Sequence, residues 1–366
     1  MQKKIIKKLL GKIYYGAKPQ ICMDVIAWAK KRGLDTIETY PPVLCEVEPY
    51  VIEDPLAKSH FDIHYDVLCR PQALVLIKNA IIKDADGLVQ LPDGQVCYEG
   101  NWHLPYLLEN PAYRRYFARK RYLKGNIYSL LSLWSKEFYH WFYDVLPRLE
   151  FVLPHLPSDT KFLIQENPHN YQLESLQAYG IDLDRLEIQS NGLDTKVERL
   201  WFANPIGVTG MSSAYPLQVV SNRLKRFFKI KDVGIKKHRI YISRKLAGCR
   251  RVVNEVVLEP ILNEFRFDII HCEHLSLVEQ IQLFANAEAI VGPHGAGMIH
   301  MIFAPNNIST AEISPLSASI PPCYAILAKQ LGHKFTRLDA DLSSDLTLSD
   351  MNLEPAKLCD WIKSLS

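Results

Sequence analysis

The sequence predicts an α/β fold of two domains, the second built on a parallel, doubly wound sheet. After residue 238, short apolar runs of strand length alternate with helical patterns, as βαβ units do. The chain has 366 residues, 48% of them hydrophobic, which is enough for two separate cores. A lysine-rich stretch with one glycine, 229–237, predicts the linker between them.

Composition excludes several classes of protein. A net charge of +3 is too close to balance to indicate nucleic-acid binding. No apolar run approaches the ~18 residues that span a bilayer, and lysines interrupt the amino terminus where a signal peptide would need an apolar core. The eight cysteines form no C-x-x-C pair. We therefore expect reduced thiols and a cytoplasmic location.

The first half of the chain begins with residues 2–14, where lysines alternate with apolar residues. This pattern predicts an amphipathic helix, which can contact an anionic membrane surface or pack on its own domain. Residues 73–102 have the pattern of short strands with hairpin turns, and 113–124 is a basic segment that we expect to be exposed. Further elements are predicted at 138–153 (helix), 161–164 (strand), 172–179 (helix), 200–202 (strand) and 216–228 (helix).

The second half alternates more regularly. Strands are predicted at 239–243, 267–271, 289–291, 309–313 and 333–338, and helices at 255–265, 277–287, after the glycine turn, and at 323–331. The carboxyl ends of parallel strands meet at one edge of a sheet, where ligands bind. Residues that follow these strands should therefore lie together on one rim. The tail, 355–365, predicts an amphipathic helix that returns to the first domain.

A glycine turn at 292–297 lies between a predicted strand and the next helix. Gly292, Gly295 and Gly297 permit close backbone approach, and the first amide groups of a helix have no intrahelical acceptor. The turn thus predicts an anion site, with His294 as a side-chain donor. The alternative is a tight turn whose glycines solve only a packing problem.

Cationic side chains fall on the same predicted rim. Ser243 and Arg244 end one strand, and Arg250, Arg251 and Asn254 come at the head of the next helix. Guanidinium groups match phosphate oxygens in a bidentate manner, so this set suits a diphosphate. Glu312 ends another strand and is a candidate acceptor for a ribose diol. The sequence has neither G-x-G-x-x-G nor a P-loop motif.

Five sequence blocks together resemble glycosyltransferase family 61: residues 138–149, 241–244, 250–255, 292–298 and 311–313. The resemblance implies a GT-B architecture, with two Rossmann-like domains facing across a cleft. It also implies an inverting mechanism and a nucleotide-sugar donor, UDP-linked, held by the second half. Residues of the glycine turn, Ala296 included, would then bind the donor. Bacterial members are often capsular polysaccharide biosynthesis proteins, and eukaryotic relatives transfer xylose or N-acetylglucosamine.

An inverting transferase needs a base that deprotonates the acceptor hydroxyl. His140 and Asp144 are four residues apart on a predicted helix and therefore point the same way. Either can be the base; we place Asp144 first, and a carboxylate beside a histidine can also be its orienting partner. The alternative is a packed histidine beside an ordinary surface carboxylate.

No metal or other cofactor is predicted. Three Asp-x-Asp strings, at 84–86, 182–184 and 339–341, fall where turn chemistry explains them. Residues 271–274 include side chains of the types that bind zinc, but they lack the two separated ligand pairs of a compact zinc site. We keep His274 only as a candidate for substrate contact.

The sequence therefore predicts an acceptor-side domain at 1–235, a donor domain at 236–348 and a carboxyl-terminal helix at 349–366. The predicted function is inverting, metal-independent transfer of a sugar from a nucleotide sugar to a glycan acceptor, which can be lipid-linked, in surface (capsular) polysaccharide biosynthesis. The predicted location is cytoplasmic, and the helix at 2–14 can contact the inner face of the plasma membrane or pack on its own domain. Alternatives are a nucleotide-sugar epimerase or phosphosugar synthase of the same fold, and a non-catalytic glycan-binding assembly protein.

Overall fold

A computed structural model describes residues 20–41, 71–99, 118–207, 209–210, 212–231, 238–315, 322–343 and 350–365. The chain divides into two compact units, and the division falls between Thr209 and Gly210. The sequence placed it near residue 235. It falls earlier because the helix Ala214–Phe227 packs on the helix that follows the glycine turn, inside the second unit. The predicted amphipathic helix at 2–14 lies outside the described residues.

The first unit contains a mixed sheet. Its strands are β1 (Ile21–Cys22), β2 (Thr36–Tyr40), β3 (Gln72–Lys78), β4 (Ile81–Lys83), β5 (Leu88–Gln90), β6 (Val96–Cys97), β7 (Arg119–Ser129), β8 (Lys161–Gln165), β9 (Leu186–Gln189) and β10 (Leu193–Ala203). Strands β10, β7, β8 and β9 run parallel in that order, whereas β3 and β4 pair antiparallel with β10. Only this parallel part matches the Rossmann-like prediction; the hairpins extend the sheet on its other side.

Within the described residues of the first unit, the α-helices are α1 (Val25–Lys30), α2 (Phe138–His140), α3 (Leu146–Val152) and α4 (Asn170–Gln177). The predicted helix at 138–153 exists but is not regular, because Trp141–Val145 forms a π-helix between α2 and α3. Single π-helical turns are rare and occur frequently at functional sites. This irregularity therefore marks the segment that carries both His140 and Asp144.

Strand β7 occupies part of the basic segment, 113–124, that the sequence predicted to be exposed. Its first residues include Arg119 and Arg121, yet the strand is eleven residues long and pairs with both β10 and β8. The basic part of the strand pairs with β10, and this ladder outweighs the weak strand propensity of lysine. Several of the cations remain exposed along the strand.

The second unit confirms the predicted α/β alternation. Its strands are β11 (His238–Ile242), β12 (Phe267–Ile270), β13 (Ala287–Pro293), β14 (Ser309–Pro315), β15 (Lys334–Leu342) and β16 (Met351–Asn352). They follow the order β12-β11-β13-β14-β15-β16, and every pair is parallel except β15 with β16. The α-helices are α5 (Ala214–Phe227), α6 (Glu255–Glu264), α7 (Leu277–Phe284), α8 (Cys323–Gln330) and α9 (Pro355–Lys363), and a 3-10 helix spans Ala296–Phe303.

The last helix, α9, is amphipathic as predicted, and its apolar face is buried in the second unit. Leu358, Trp361 and Ile362 join the core cluster that contains residues of β11, β13 and β14. The Trp361 ring lies 6.0 Å from that of Phe267. The sequence predicted that this helix returns to the first domain, and that prediction is wrong. The helix belongs to the second unit because three of its large side chains are buried in that unit's core.

No described helix is both long enough and apolar enough to cross a membrane. The six cysteines within the described ranges are free thiols.

Candidate functional site

Arg244 follows the carboxyl end of β11 and is held partly buried. Its Nη2 donates to the backbone oxygen of Cys249 at 3.2 Å. Its Nε is buried and has no hydrogen-bond partner among the described residues. Burial, and then the neighbouring Arg250, lower the pKa of Arg244. A buried donor without a partner costs free energy, so the guanidinium is poised to bind an acceptor from a ligand.

Arg250 gives the same region a second cation. Its φ of 57° is left-handed, a conformation that is uncommon outside glycine and often found at functional sites. Within the described part of the chain, no carboxylate forms an ion pair with Arg244 or Arg250, whereas Arg251 binds Asp350 at 2.6 Å. Two neighbouring guanidinium groups that lack a carboxylate repel each other, and an anion such as a diphosphate removes that repulsion.

The three glycines of the turn have distinct roles. Strand β13 runs on through Gly292 and Pro293, so the chain leaves the sheet later than the sequence indicated. A Cβ on Gly292 would lie 3.0 Å from the backbone oxygen of Ile242, and one on Gly297 would lie 2.8 Å from its Cγ2. These two glycines therefore let β13 and the 3-10 helix pack against β11. A Cβ on Gly295 would instead overlap the Arg244 guanidinium.

His294 is fixed by a buried carboxylate. Its Nδ1 lies 2.6 Å from Glu312 Oε1, and Ser314 Oγ donates to the same oxygen at 2.7 Å. Glu312 is 4% exposed and sits opposite Gly292 in the β13–β14 ladder. A carboxylate that holds one ring nitrogen fixes the tautomer of a histidine. Glu312 therefore orients His294, a role that differs from the ribose contact that the sequence suggested.

Tyr324, on α8, completes this region and was missed by the sequence analysis. Its hydroxyl donates to the backbone oxygen of Gly295 at 2.6 Å, and its ring lies 5.1 Å from that of His294. Burial raises the pKa of Tyr324 well above its ordinary value, and nearby Arg250 and Arg244 oppose that shift. Tyr324 therefore lies close to both cations and holds the turn.

Three residues that the sequence predicted to bind the donor are instead bonded to other groups of the protein. Ser243 Oγ donates to the buried carboxylate of Glu255 at 2.8 Å. The Asn254 side chain donates to the Leu353 oxygen at 2.8 Å and accepts from the Leu353 amide at 3.0 Å, and Arg251 pairs with Asp350. Their hydrogen-bonding groups are engaged within the protein. The described side chains poised for an anion are thus Arg244, Arg250 and His294, with Ala296 at the start of the 3-10 helix.

Replacing Gly295 with alanine should displace Arg244, because the new Cβ and the guanidinium cannot share the same space. We expect affinity for UDP, measured by calorimetry, to fall roughly tenfold. Gly248→Ala is the matched control, since a Cβ there meets nothing within 4 Å. Equal affinity in both variants would contradict the role assigned to Arg244.

A second set of polar groups lies in the first unit, on the π-helical segment. His140 Nδ1 lies 2.8 Å from Asp144 Oδ2, and Thr209 Oγ1 donates to Asp144 Oδ1 at 2.8 Å. The histidine and aspartate side chains are 14% and 23% exposed. Both carboxylate oxygens therefore accept hydrogen bonds, and His140 is held in the tautomer that carries its proton on Nδ1. The lone pair then lies on Nε2, which makes His140 the better-placed base and Asp144 its orienting partner.

No group of three or more His, Cys, Asp or Glu side chains within the described ranges can hold a metal ion. Asp84 lies in a left-handed turn, where its Oδ1 accepts from the amides of Ala85 and Gly192. Asp182 precedes a 3-10 helix, while Asp339 and Asp341 lie within β15 rather than after it. His274 is exposed in a separate 3-10 helix.

Both sets of polar groups lie within a segment that is similar to known glycosyltransferases. Residues 138–311 match the family model of Glycosyltransferase 61. The matched range covers the His140–Asp144 segment, the Arg244 region and the glycine turn. The EGF domain-specific O-linked N-acetylglucosamine transferase of Drosophila melanogaster is 31% identical over 98 residues, which is 26% of this chain and 18% of that protein. The matched segment thus spans less than a fifth of the relative.

Proposed function

We propose that this chain, of which residues 138–311 belong to glycosyltransferase family 61, transfers a sugar from a nucleotide-sugar donor to a glycan acceptor with inversion at the anomeric carbon. We assign it two domains of the GT-B type, with the donor bound by the second. The observation that carries the proposal is the pair of arginines beside the glycine turn, one of which has a buried Nε without a partner among the described residues.

Donor binding is assigned to the second unit. Arg244, Arg250 and His294 lie at the carboxyl edge of a parallel sheet, the usual place for a nucleotide in such folds. They neutralise the diphosphate, whose negative charge grows as the bond to the sugar breaks. The proposed donor is UDP-linked, on the family resemblance.

Proton removal is assigned to His140 in the first unit. The acceptor oxygen forms a bond to the anomeric carbon while the bond from that carbon to the diphosphate oxygen breaks. The departing diphosphate keeps the electron pair, and the acceptor proton moves to His140 Nε2. Asp144 stabilises the imidazolium that results, and Thr209 holds Asp144 in place.

The acceptor is proposed to be a surface polysaccharide or its lipid-linked precursor, assembled on the cytoplasmic side of a membrane. The support is the likeness of the sequence blocks to those of capsular polysaccharide biosynthesis proteins. Contact of residues 2–14 with anionic lipid belongs to the same proposal.

Incubation with a panel of nucleotide sugars tests the function. We expect one donor to raise the melting temperature and to be hydrolysed slowly to the nucleoside diphosphate. The panel includes UDP-N-acetylglucosamine, UDP-xylose, UDP-glucose and UDP-galactose, with GDP-mannose as a donor of another nucleotide. If no donor raises the melting temperature and none is hydrolysed, the proposal is contradicted. Formation of an epimer would favour an epimerase.

Turnover should continue without a divalent cation. The positive charge that offsets the leaving diphosphate comes from Arg244 and Arg250, so a metal ion is not needed for that step. We expect activity after exhaustive EDTA treatment to match that of untreated enzyme. Activity that is lost in EDTA and returns with Mn²⁺ or Mg²⁺ would refute this prediction.

A further inference from the structure

Trp134 combines exposure with a strained backbone. The residue is 45% exposed, and among the exposed large apolar residues of the described ranges it is the one tryptophan. Its φ is 61°, in the left-handed region, which for a bulky residue is a genuine outlier. Exposed apolar residues alone are ordinary, but an exposed aromatic held at a backbone cost requires a reason.

The turn around Trp134 is clamped from the neighbouring helix. Two side chains of α4 donate to backbone oxygens immediately after Trp134: Gln172 Nε2 to Ser135 at 3.1 Å and Tyr171 Oη to Lys136 at 2.5 Å. The Trp134 oxygen itself accepts from the amide of Glu137 at 2.8 Å. Gln172 is fully buried and makes further bonds to Gln165 and His169. These hydrogen bonds hold the turn in which Trp134 has its left-handed conformation.

This clamped turn places the indole beside the candidate base. The Trp134 and His140 ring centroids are 5.2 Å apart, with the planes inclined at 44°. A surface that leads to His140 can thus be lined on one side by an aromatic face. Pyranose rings present a face of C–H groups, which carry partial positive charge and pack against the negative face of an aromatic ring.

We propose that Trp134 is a stacking platform for a pyranose ring of the acceptor, positioned so that a hydroxyl of that ring reaches His140. The proposal rests on the proposed function, because it takes His140 to be the base. It assigns the acceptor a sugar, rather than a peptide hydroxyl, next to the reacting group. The backbone strain at Trp134 holds the indole in position before the acceptor binds.

Binding of sugars tests the platform independently of transfer. The probes are methyl β-D-glucopyranoside, methyl β-D-galactopyranoside and methyl β-D-xylopyranoside, observed by saturation-transfer NMR. With the wild-type protein we expect saturation of the ring hydrogens of one face for at least one probe. Trp134→Asn should weaken that binding about 2- to 10-fold, the range for aromatic contacts, and Trp134→Phe should largely restore it.

The variants are chosen to leave the fold intact. Asparagine adopts left-handed backbone more readily than tryptophan, so Trp134→Asn relieves strain and should not lower the melting temperature. Phe227→Ala removes an aromatic ring that is 46% exposed in the second unit and serves as control. If no probe receives saturation from the wild-type protein, or if Trp134→Asn binds as well as wild type, the platform is refuted. A Trp134-dependent signal in a protein that hydrolyses no nucleotide sugar would instead refute the proposed function and leave a sugar-binding site at Trp134.

Discussion

His140→Ala is expected to lower kcat by about 10²–10⁴-fold, the usual contribution of a positioned base. The reason is geometric, since Asp144 holds the Nδ1 proton and leaves the Nε2 lone pair to accept a proton from the acceptor. Affinity for UDP should stay unchanged, because the diphosphate is assigned to Arg244 and Arg250. The measurement is steady-state kinetics with the donor identified by the panel, together with calorimetry of UDP.

Asp144→Asn separates the two possible roles within this pair. If Asp144 only orients His140, the variant should lose less activity than His140→Ala, and the double variant should be no worse than His140→Ala alone. His155→Ala, at an exposed histidine of the same helical run, is the control and should retain full activity. A larger loss in Asp144→Asn would make the aspartate the base, and near-normal turnover in both variants would place the base elsewhere.

Much of the second unit could be predicted because local patterns and topology agree there. Strands followed by helices imply a parallel sheet, and a parallel sheet brings the residues after its strands to one edge. Arg244, His294 and Gly295 are neighbours for that reason, although 50 residues of chain separate Arg244 from His294. The order of strands and helices along the chain was therefore sufficient to predict that these residues lie together.

The roles of individual side chains were harder to predict from the sequence, since they depend on partners that are distant along the chain. Arg251 carries the same guanidinium as Arg250, and Asn254 is a polar neighbour of both in sequence, but the partners of Arg251 and Asn254, Asp350 and Leu353, lie 99 residues further along the chain. Tyr324 sits in an apolar helical pattern, and nothing in that pattern indicates that its hydroxyl reaches Gly295. Periodicity reports which face of an element is buried and not what a buried polar atom touches.

The first unit shows a second reason for error. A π-helical turn inside a predicted helix leaves the apolar pattern intact while changing which side chains align, so the sequence found the His140–Asp144 pair without the irregularity. Trp134 was likewise hidden, because a strained backbone conformation has no sequence signature when the residue is not glycine. The turn that contains Trp134 is held by hydrogen bonds from α4, and the His140 ring lies beside the indole, contacts that no local sequence pattern reports.

Arg244→Ala should weaken UDP binding by about 1.5–3 kcal/mol, the range for a hydrogen bond to a charged group. The wild-type guanidinium already has a buried Nε without a partner among the described residues, so ligand binding there leaves no protein bond to be broken first. His294→Ala should also reduce affinity, because Glu312 holds the imidazole beside the same turn.

Arg239→Ala is the matched control for this substitution. Arg239 lies near the amino end of β11, the strand whose carboxyl end leads to Arg244. There it forms an ion pair with Glu288 at 2.8 Å. Calorimetry of UDP with the three variants decides the assignment. A selective loss in Arg244→Ala and His294→Ala places the diphosphate at the carboxyl edge of the sheet. Unchanged affinity in both would remove the donor from this edge while leaving the His140 prediction to stand on its own, since each rests on groups in a different unit.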